Sequence, residues 1–494
     1  MESGEHLDPT SEITLEAVKS RAVKGVVALT GRTLVLNLIS LFAQGLLWAF
    51  LDPSQFGVFL VVSATINFLS YFADIGLGAA LIQKREKPRD VDFKTVFLVQ
   101  ETLVITIVIF VFLMGPILAR THNLTNEGII LLYALNFSFF LASLKNIPSI
   151  ILERKLEFGK FVIPQVVEQV VYNVVVVFFA WQGYGITSFT YAVLIRGVIG
   201  VVTIYLLQPW KPGVAFSRDS LRGLLKFGVP YQLNNFLATV KDDGMTIVLG
   251  GILGSTGLGI LGTAQKLAQY PLRFFMDNVT KVTFPAFSRM QDDKSQLERS
   301  LTRSIFFICT LVFPSLVGLS VLFPVLVNVI PRYSKWSPAY IPFLLICVNS
   351  MFAAGSTQLT NLLNSVGRIK TTFKLMIMWT VLTWVLLPFL SSRMGVGGAA
   401  LGYAIVGTSS FATFYLVKKF VDFSIVYSVV KPVFASAVMG VVLLLVRNLT
   451  PWNYFGVLMM ILAGVATYVL SIYLIMGQSA LDDAKKVLAV FFKK

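Results

Sequence analysis

The stretch KTVFLVQETLVITIVIFVFLMGPIL, residues 94–118, decides the fold class. It is a predominantly apolar run of bilayer-crossing length, interrupted by Gln100 and Glu101 after its opening Lys94, with no alternation of inward and outward residues, so it reads as a membrane helix and not as a barrel strand. Acidic residues stand just before it, at Asp90 and Asp92, and Arg120 stands just after it. The same pattern recurs along the chain, in runs of about twenty residues separated by short charged connections. Over all 494 residues, 56% are hydrophobic and only 13% charged, and the mean hydropathy is +0.76. Soluble domains carry about 25% charged residues, so the composition is that of an all-α polytopic membrane protein.

Fourteen windows are long enough to cross, beginning with 26–49, 56–82 and 94–118 and ending with 430–447 and 454–476. With the amino terminus cytoplasmic, 29 of the 41 Lys and Arg residues fall on the inner side and five on the outer: Arg120, Arg332, Lys335, Arg393 and Arg447. The bias supports fourteen spans with both termini cytoplasmic. It also explains the net charge of +16 as topology, with no need of nucleic acid. The leader has no small-residue cleavage site before the first span, so that span is expected to be a retained anchor. Leu15, Val18, Ala22 and Val23 recur at helical spacing in the leader, which predicts a short amphipathic surface helix.

The chain repeats itself. Lys24 with Gly57 is matched at an offset of 202 by Lys226 with Gly259, and FGVF (56–59) is answered by LGIL (258–261). GITSFTYA (185–192) is answered by GGAALGYA (397–404). Six helices separate the copies, so the repeats are parallel and a site is expected between the lobes. The expected organisation is a leader (1–25), an N-lobe (26–208), a cytoplasmic linker (209–223), a C-lobe (224–420), and two extra helices with a tail (421–494).

Ionisable residues inside the spans carry the functional information, because each costs roughly 2.5–3.5 kcal/mol on insertion scales unless paired or hydrated. The bases are Arg32, Lys145, Arg196, Lys241, Lys266, Arg273 and Lys281, and the acids are Asp74, Glu101, Glu168, Asp242, Asp243 and Asp277. All lie in the first eight spans, which implies a polar cavity there. Lys266, Arg273, Asp277 and Lys281 share one helix face; they form a cationic stripe, or else an ion-pair ladder through Asp277, with Lys281 close enough to the end to snorkel. Three consecutive charges, Lys241 to Asp243, cannot share a face, so a local break is expected beside Gly244. Asp242 and Asp243 are candidate cation or proton sites, or partners of Lys241 or Lys266. Arg196, whose repeat counterpart is Thr408, is expected to bind an anion, while Arg32 and Lys145 either line the cavity or snorkel. Asp74, Glu101 and Glu168 are their expected partners, with Glu168 the proton-relay candidate.

Other motifs read as structure. Asp90-Val91-Asp92 resembles a DxD metal pair but opens a helix, where acids cap the N-terminus. The run GGILGSTGLG (250–259) lacks the Lys of a phosphate loop and reads as a turn. Cys309 and Cys347 lie in apolar runs, and His6 and His122 lie outside the spans. No metal, disulfide or nucleophilic constellation follows, and the chain is not expected to be an enzyme.

Against this background a resemblance enters. LDPSQFGVFLVVSATINFLSYFADIGLGAALIQKREKPRDVDFKTVF (51–97), ERKLEFGKF (153–161), QPWKPGVAFSRDSLRGLLKFGVP (208–230) and TAQKLAQYPLRFFMDNVTKVTFPAFSRMQDDK (263–294), in that order, resemble bacterial oligosaccharide flippases of the Wzx type and most of all their WzxC-like branch. These belong to the superfamily that also holds the MATE exporters and lipid II flippases. The resemblance implies two six-helix lobes in a V that alternate between inward- and outward-open states in the bacterial inner membrane. It implies a polyprenyl-pyrophosphate oligosaccharide as substrate, taken from the cytoplasmic to the outer leaflet for lipopolysaccharide, O-antigen, capsule, teichuronic acid or other exopolysaccharide. In relatives the lumen is lined mainly by the first, second, seventh and eighth spans, which here carry Arg32, Asp74, Lys241 to Asp243, Lys266 and Arg273; Arg196 and Lys145, on other spans, join this expected cationic set from the charge pattern alone, as Glu168 and Asp277 join Asp242, Asp243 and Asp74 as coupling or partner charges. No cofactor is implied beyond a proton or sodium gradient, and the implied neighbours are the bilayer, a polymerase and export machinery. A MATE-like exporter of small molecules is the alternative.

Overall fold

The computed structural model describes residues 15–84 and 86–476, without the side chains of 15–30, 34, 229–231, 233–235 and 278. The leader up to residue 14, the side chains that set its amphipathic pattern, and the tail beyond 476 therefore lie outside what is described.

The described residues are helical, with no strand among them. Two compact units divide the chain, Met1–Gly259 and Ile260–Lys494. The first contains α1 (Leu15–Phe50), α2 (Pro53–Ala73), α3 (Leu77–Gln83), α4 (Asp90–Thr121), α5 (Asn126–Leu144), α6 (Asn146–Arg154), α7 (Phe158–Trp181), α8 (Thr187–Leu207) and α9 (Arg218–Thr239). A π-helical turn, Val240–Gly244, then leads into α10 (Met245–Arg289). The second unit carries the rest of α10, then α11 (Lys294–Val329), α12 (Tyr340–Ser365), α13 (Ile369–Thr408), α14 (Phe411–Lys418), α15 (Lys431–Leu449) and α16 (Tyr454–Met476).

Twelve helical segments among the described residues are long and apolar enough to cross a membrane, against fourteen windows in the sequence. The difference lies in Phe236–Asp277 and Ile369–Lys418, which are 42 and 50 residues long. At about 1.5 Å per residue each would be roughly twice the ~30 Å hydrocarbon core if straight. Neither is straight, because Gly254 (φ 67°) and Gly395 (φ 57°) hold non-helical backbone inside them. Glycine adopts positive φ without the Cβ penalty. Around Gly395, α13 folds back on itself: a Cβ on Gly402 would press on Leu387, and one on Gly398 would meet the Leu390 carbonyl. α13 is thus a hairpin of two antiparallel arms.

The single expected span 56–82 is divided in the structure. α2 ends at Ala73, the Asp74 carboxylate accepts the Gly76 amide at 3.0 Å, and Gly76 turns with φ 76° into α3. A Cβ on Gly76 would strike the Gly228 backbone, which is why α3 can lie directly against α9. Arg154 then holds the far end of α3, donating from Nη1 to the Ile82 and Lys84 carbonyls at 2.9 and 3.0 Å. A buried guanidinium in this place satisfies carbonyls that the end of a helix leaves open.

The capping role read for Asp90-Val91-Asp92 is present. Asp92 is fully buried and accepts from the Arg89 amide at 2.8 Å, the Lys84 ammonium at 2.7 Å and the Ser220 hydroxyl at 2.6 Å. Asp90 pairs with Lys94 at 2.6 Å. The connection ahead of α9 is fixed to α4 as well, through Phe97 edge-on to Trp210 and the Ser217 amide donating to Thr95 Oγ1 at 3.0 Å.

Candidate functional site: a polar stripe on α7

α7 is a valine-rich helix, yet Gln165, Glu168, Gln169, Tyr172 and Asn173 follow the i, i+3, i+4, i+7, i+8 spacing that puts them on one face. Several helices deliver polar groups to this face. From α1, the Arg32 guanidinium donates to Gln165 Oε1, and Ser40 Oγ accepts from Gln169 Nε2 at 3.3 Å. At the α5–α6 junction, the Lys145 ammonium lies 2.7 Å from Glu168 Oε1. From α8, Arg196 Nε lies 3.5 Å from Glu168 Oε2, and its guanidinium sits over the Tyr172 ring at 5.7 Å.

Arg196 arrives because of how α8 is patterned. Tyr191, Ile195, Val198, Val202 and Leu206 form its exposed stripe, whereas Phe189, Ala192, Val193 and Gly200 form its packed side. At about 100° per residue Arg196 falls with the packed set. Gly200, one turn further on, leaves the space in which the Glu168 carboxylate lies; a Cβ there would collide with it.

One carboxylate is therefore shared by two cations, while Arg32 of α1 binds Gln165, three residues before Glu168 on the same α7 face. Glu168 and Lys145 side chains are 10% and 16% exposed, while that of Arg196 is 42% exposed. Close by, Glu101 is buried and accepts from Ser143 Oγ at 2.9 Å. Hydrogen bonds to charged groups are worth more than neutral ones, and a buried carboxylate without them is costly.

The other expected site residues divide into groups. Lys241, Asp242 and Asp243 sit in the π-helical turn, the local break expected beside Gly244. Lys241 pairs with Asp242 at 2.9 Å, and the exposed Asn67 side chain hydrogen-bonds Asp243. Asp74 is exposed and caps its own turn. Lys266, Arg273 and Asp277 belong to the second unit. There Arg273, Asp277 and Lys281 are exposed, and among the described residues no ion pair joins them into a ladder. The structure thus brings Arg32, Lys145, Arg196 and Glu168 together and leaves Asp74 on a separate turn. No group of His, Cys, Asp and Glu able to hold a metal occurs among the described residues.

The second unit also contains an apolar groove between α11, α15 and α16. It has a volume of about 450 Å³ and is walled by residues including Pro314, Gly318, Leu322, Met439 and Gly464. A second apolar hollow of about 980 Å³, walled also by Leu462, Leu470 and Tyr473, shares Leu311, Val465, Tyr468 and Val469 with it.

Residues 46–341 match the family described as polysaccharide biosynthesis protein. The lipopolysaccharide biosynthesis protein WzxC of Escherichia coli (strain K12) is 25% identical over 403 residues, 79% of each chain. The succinoglycan biosynthesis transport protein ExoT of Rhizobium meliloti (strain 1021) is 23% identical over 270 residues, 54% of each chain. In fold, the chain is similar to a lipid II flippase MurJ in an inward closed conformation, with a TM-score of 0.76, 18% identity, and coverage of 92% of this chain and 99% of that one.

Proposed function

Since the chain belongs to the polysaccharide biosynthesis protein family, we propose that it is a flippase for a polyprenyl-pyrophosphate-linked oligosaccharide repeat unit, moving it from the cytoplasmic to the outer leaflet by alternating access. The names of its relatives, which point to lipopolysaccharide biosynthesis and succinoglycan biosynthesis transport, support a surface polysaccharide as the destination. The bacterial cytoplasmic membrane is the proposed location, with both termini cytoplasmic. A polymerase and export machinery are the proposed consumers of the product.

The α7 constellation carries this reading. Arg32, Lys145 and Arg196 supply three positive charges against the carboxyl groups of Glu168 and the neighbouring Glu101, so bases outnumber acids within a membrane-spanning region. A pyrophosphate diester complements that charge, and guanidinium groups match its oxygens bidentately. The saccharide hydroxyls must keep hydrogen-bond partners while crossing, which polar residues such as Gln169 and Asn173 can offer. In the second unit Lys266 and Arg273 are proposed to extend the cationic set, and the groove between α11, α15 and α16 is proposed to hold part of the polyprenyl tail. Asp242, Asp243 and Glu168 are the proposed coupling groups for a proton or sodium gradient. A MATE-like exporter of cationic compounds would call for a net acidic site, so the excess of bases over acids here weighs against it.

The test is on lipid extracts of cells depleted of the protein. The completed lipid-linked repeat unit should accumulate in the cytoplasmic leaflet as surface polymer is lost. Unchanged lipid-linked intermediates with heightened sensitivity to cationic drugs would instead establish the exporter.

A further inference from the structure

The two cations on Glu168 are held differently. Lys145 makes a short contact at 2.7 Å, with both groups largely buried. Arg196 makes a longer one, 3.5 Å from Nε, with its side chain 42% exposed and its guanidinium over the Tyr172 ring. Among the described residues the contacts of Arg196 are this Nε contact and the ring, so its terminal Nη groups have no protein acceptor. The carboxylate itself cannot follow Arg196 freely, since it lies in the notch that Gly200 leaves on α8 and is held there by Lys145.

We propose that Glu168 is a resident counter-ion that stands in for the substrate's phosphate: an arriving phosphate takes Arg196 from it, while Lys145 remains on the carboxylate. The proposal rests on the flippase reading and adds how the site is kept neutralised between cycles. An unpaired guanidinium in a low-dielectric region is expensive, and a carboxylate within reach lowers that cost at the expense of competing with the ligand. The weaker, partly exposed partner is the one an incoming anion can remove, and the Tyr172 face gives the guanidinium a second support while it changes partner. Gly200 and Tyr172 are then positioning residues: one sets the depth of the carboxylate, the other the plane of the guanidinium.

The experiment is a double-mutant cycle on the full-length protein in lipid nanodiscs, titrated with farnesyl diphosphate and, as a control, farnesol. Glu168→Gln should tighten farnesyl diphosphate binding about tenfold in the wild-type background and less than twofold in Arg196→Ala, because without Arg196 the carboxylate holds only Lys145, which is largely buried and is not the cation an arriving phosphate takes. Gly200→Ala, which keeps every charge but displaces the carboxylate, should tighten binding in the same direction and serves if Glu168→Gln does not fold. Farnesol binding should not change. A loss in Arg196→Ala together with no gain in folded Glu168→Gln or Gly200→Ala overturns the counter-ion role and leaves the phosphate site standing. Unchanged diphosphate affinity in Arg196→Ala overturns the phosphate site itself.

Discussion

Gly57 and Gly259 lie against one another, and each admits the backbone that precedes the other. A Cβ on Gly57 would fall on the Ser255 carbonyl, and one on Gly259 would fall on the Pro53 carbonyl, with the Gly57 amide nitrogen 3.0 Å away. These are the two glycines that the internal repeat matches at an offset of 202, and the same offset relates Pro53 to Ser255. The contact therefore maps onto itself when the repeats are exchanged, as expected where an approximate twofold axis passes between two copies of one motif.

Alanine should be intolerable at this crossing, since its methyl would meet backbone that has no side-chain freedom to yield. Gly57→Ala and Gly259→Ala should each destabilise the protein by about 1–3 kcal/mol, the usual range for overpacking. The double variant should lose less than the sum, because once the helices have separated the second methyl meets little. Thermal unfolding in detergent tests this. Gly223→Ala, where a Cβ meets nothing within 4 Å, is the control and should be neutral or slightly stabilising.

Asp90 and Asp92 separate capping from tethering. Asp92 is fully buried and ties α4 to the 84–89 loop and to the start of α9, whereas Asp90 makes one exposed i, i+4 pair with Lys94. Asp92→Ala should cost on the order of 3 kcal/mol, at the low end for breaking a buried pair because Lys84 is about a quarter exposed. Asp90→Ala should cost a few tenths. Equal melting temperatures for the two variants would contradict the assignment.

Sequence pattern reached the spans, the repeat, the cap at Asp92 and the break beside Gly244, because hydropathy and spacing are properties of the local chain. The turn at 250–259 is likewise visible, in Gly254. The α7 stripe was equally present, since Gln165, Gln169, Tyr172 and Asn173 surround Glu168 at helical spacing, but uncharged polar residues raise little alarm in a scan for charges. The division of 56–82 at Asp74–Gly76 could not be read in this way, for its cause lies in tertiary packing against Gly228. Nor could the groove at α15 and α16, which depends on where Gly318 and Gly464 fall between helices.

If that groove takes part of the polyprenyl tail, filling it should affect substrates by tail length. Gly464→Phe places a large ring into a cavity of about 450 Å³ that Gly464 helps to line. Transport of the long-tailed native lipid should fall several-fold while binding of farnesyl diphosphate stays within twofold, because a short tail needs less of the apolar wall. Equal losses for both ligands would locate the damage elsewhere.

Arg196 and Tyr172 allow charge to be separated from shape. Arg196→Lys keeps the positive charge but loses the planar fork that can meet two phosphate oxygens and the flat face that rests on the Tyr172 ring. Its effect on diphosphate affinity should approach that of Arg196→Ala, about tenfold, which corresponds to about 1.4 kcal/mol. Tyr172→Phe retains the ring and should bind as the parent does. Tyr172→Leu removes it and should weaken binding about threefold, in line with the 0.5–1 kcal/mol typical of a cation–π contact at a partly exposed site. A Tyr172→Phe loss as large as that of Tyr172→Leu would mean that the hydroxyl, not the ring, holds the guanidinium. In that case the Arg196 side chain is positioned by a hydrogen bond formed only when ligand is present.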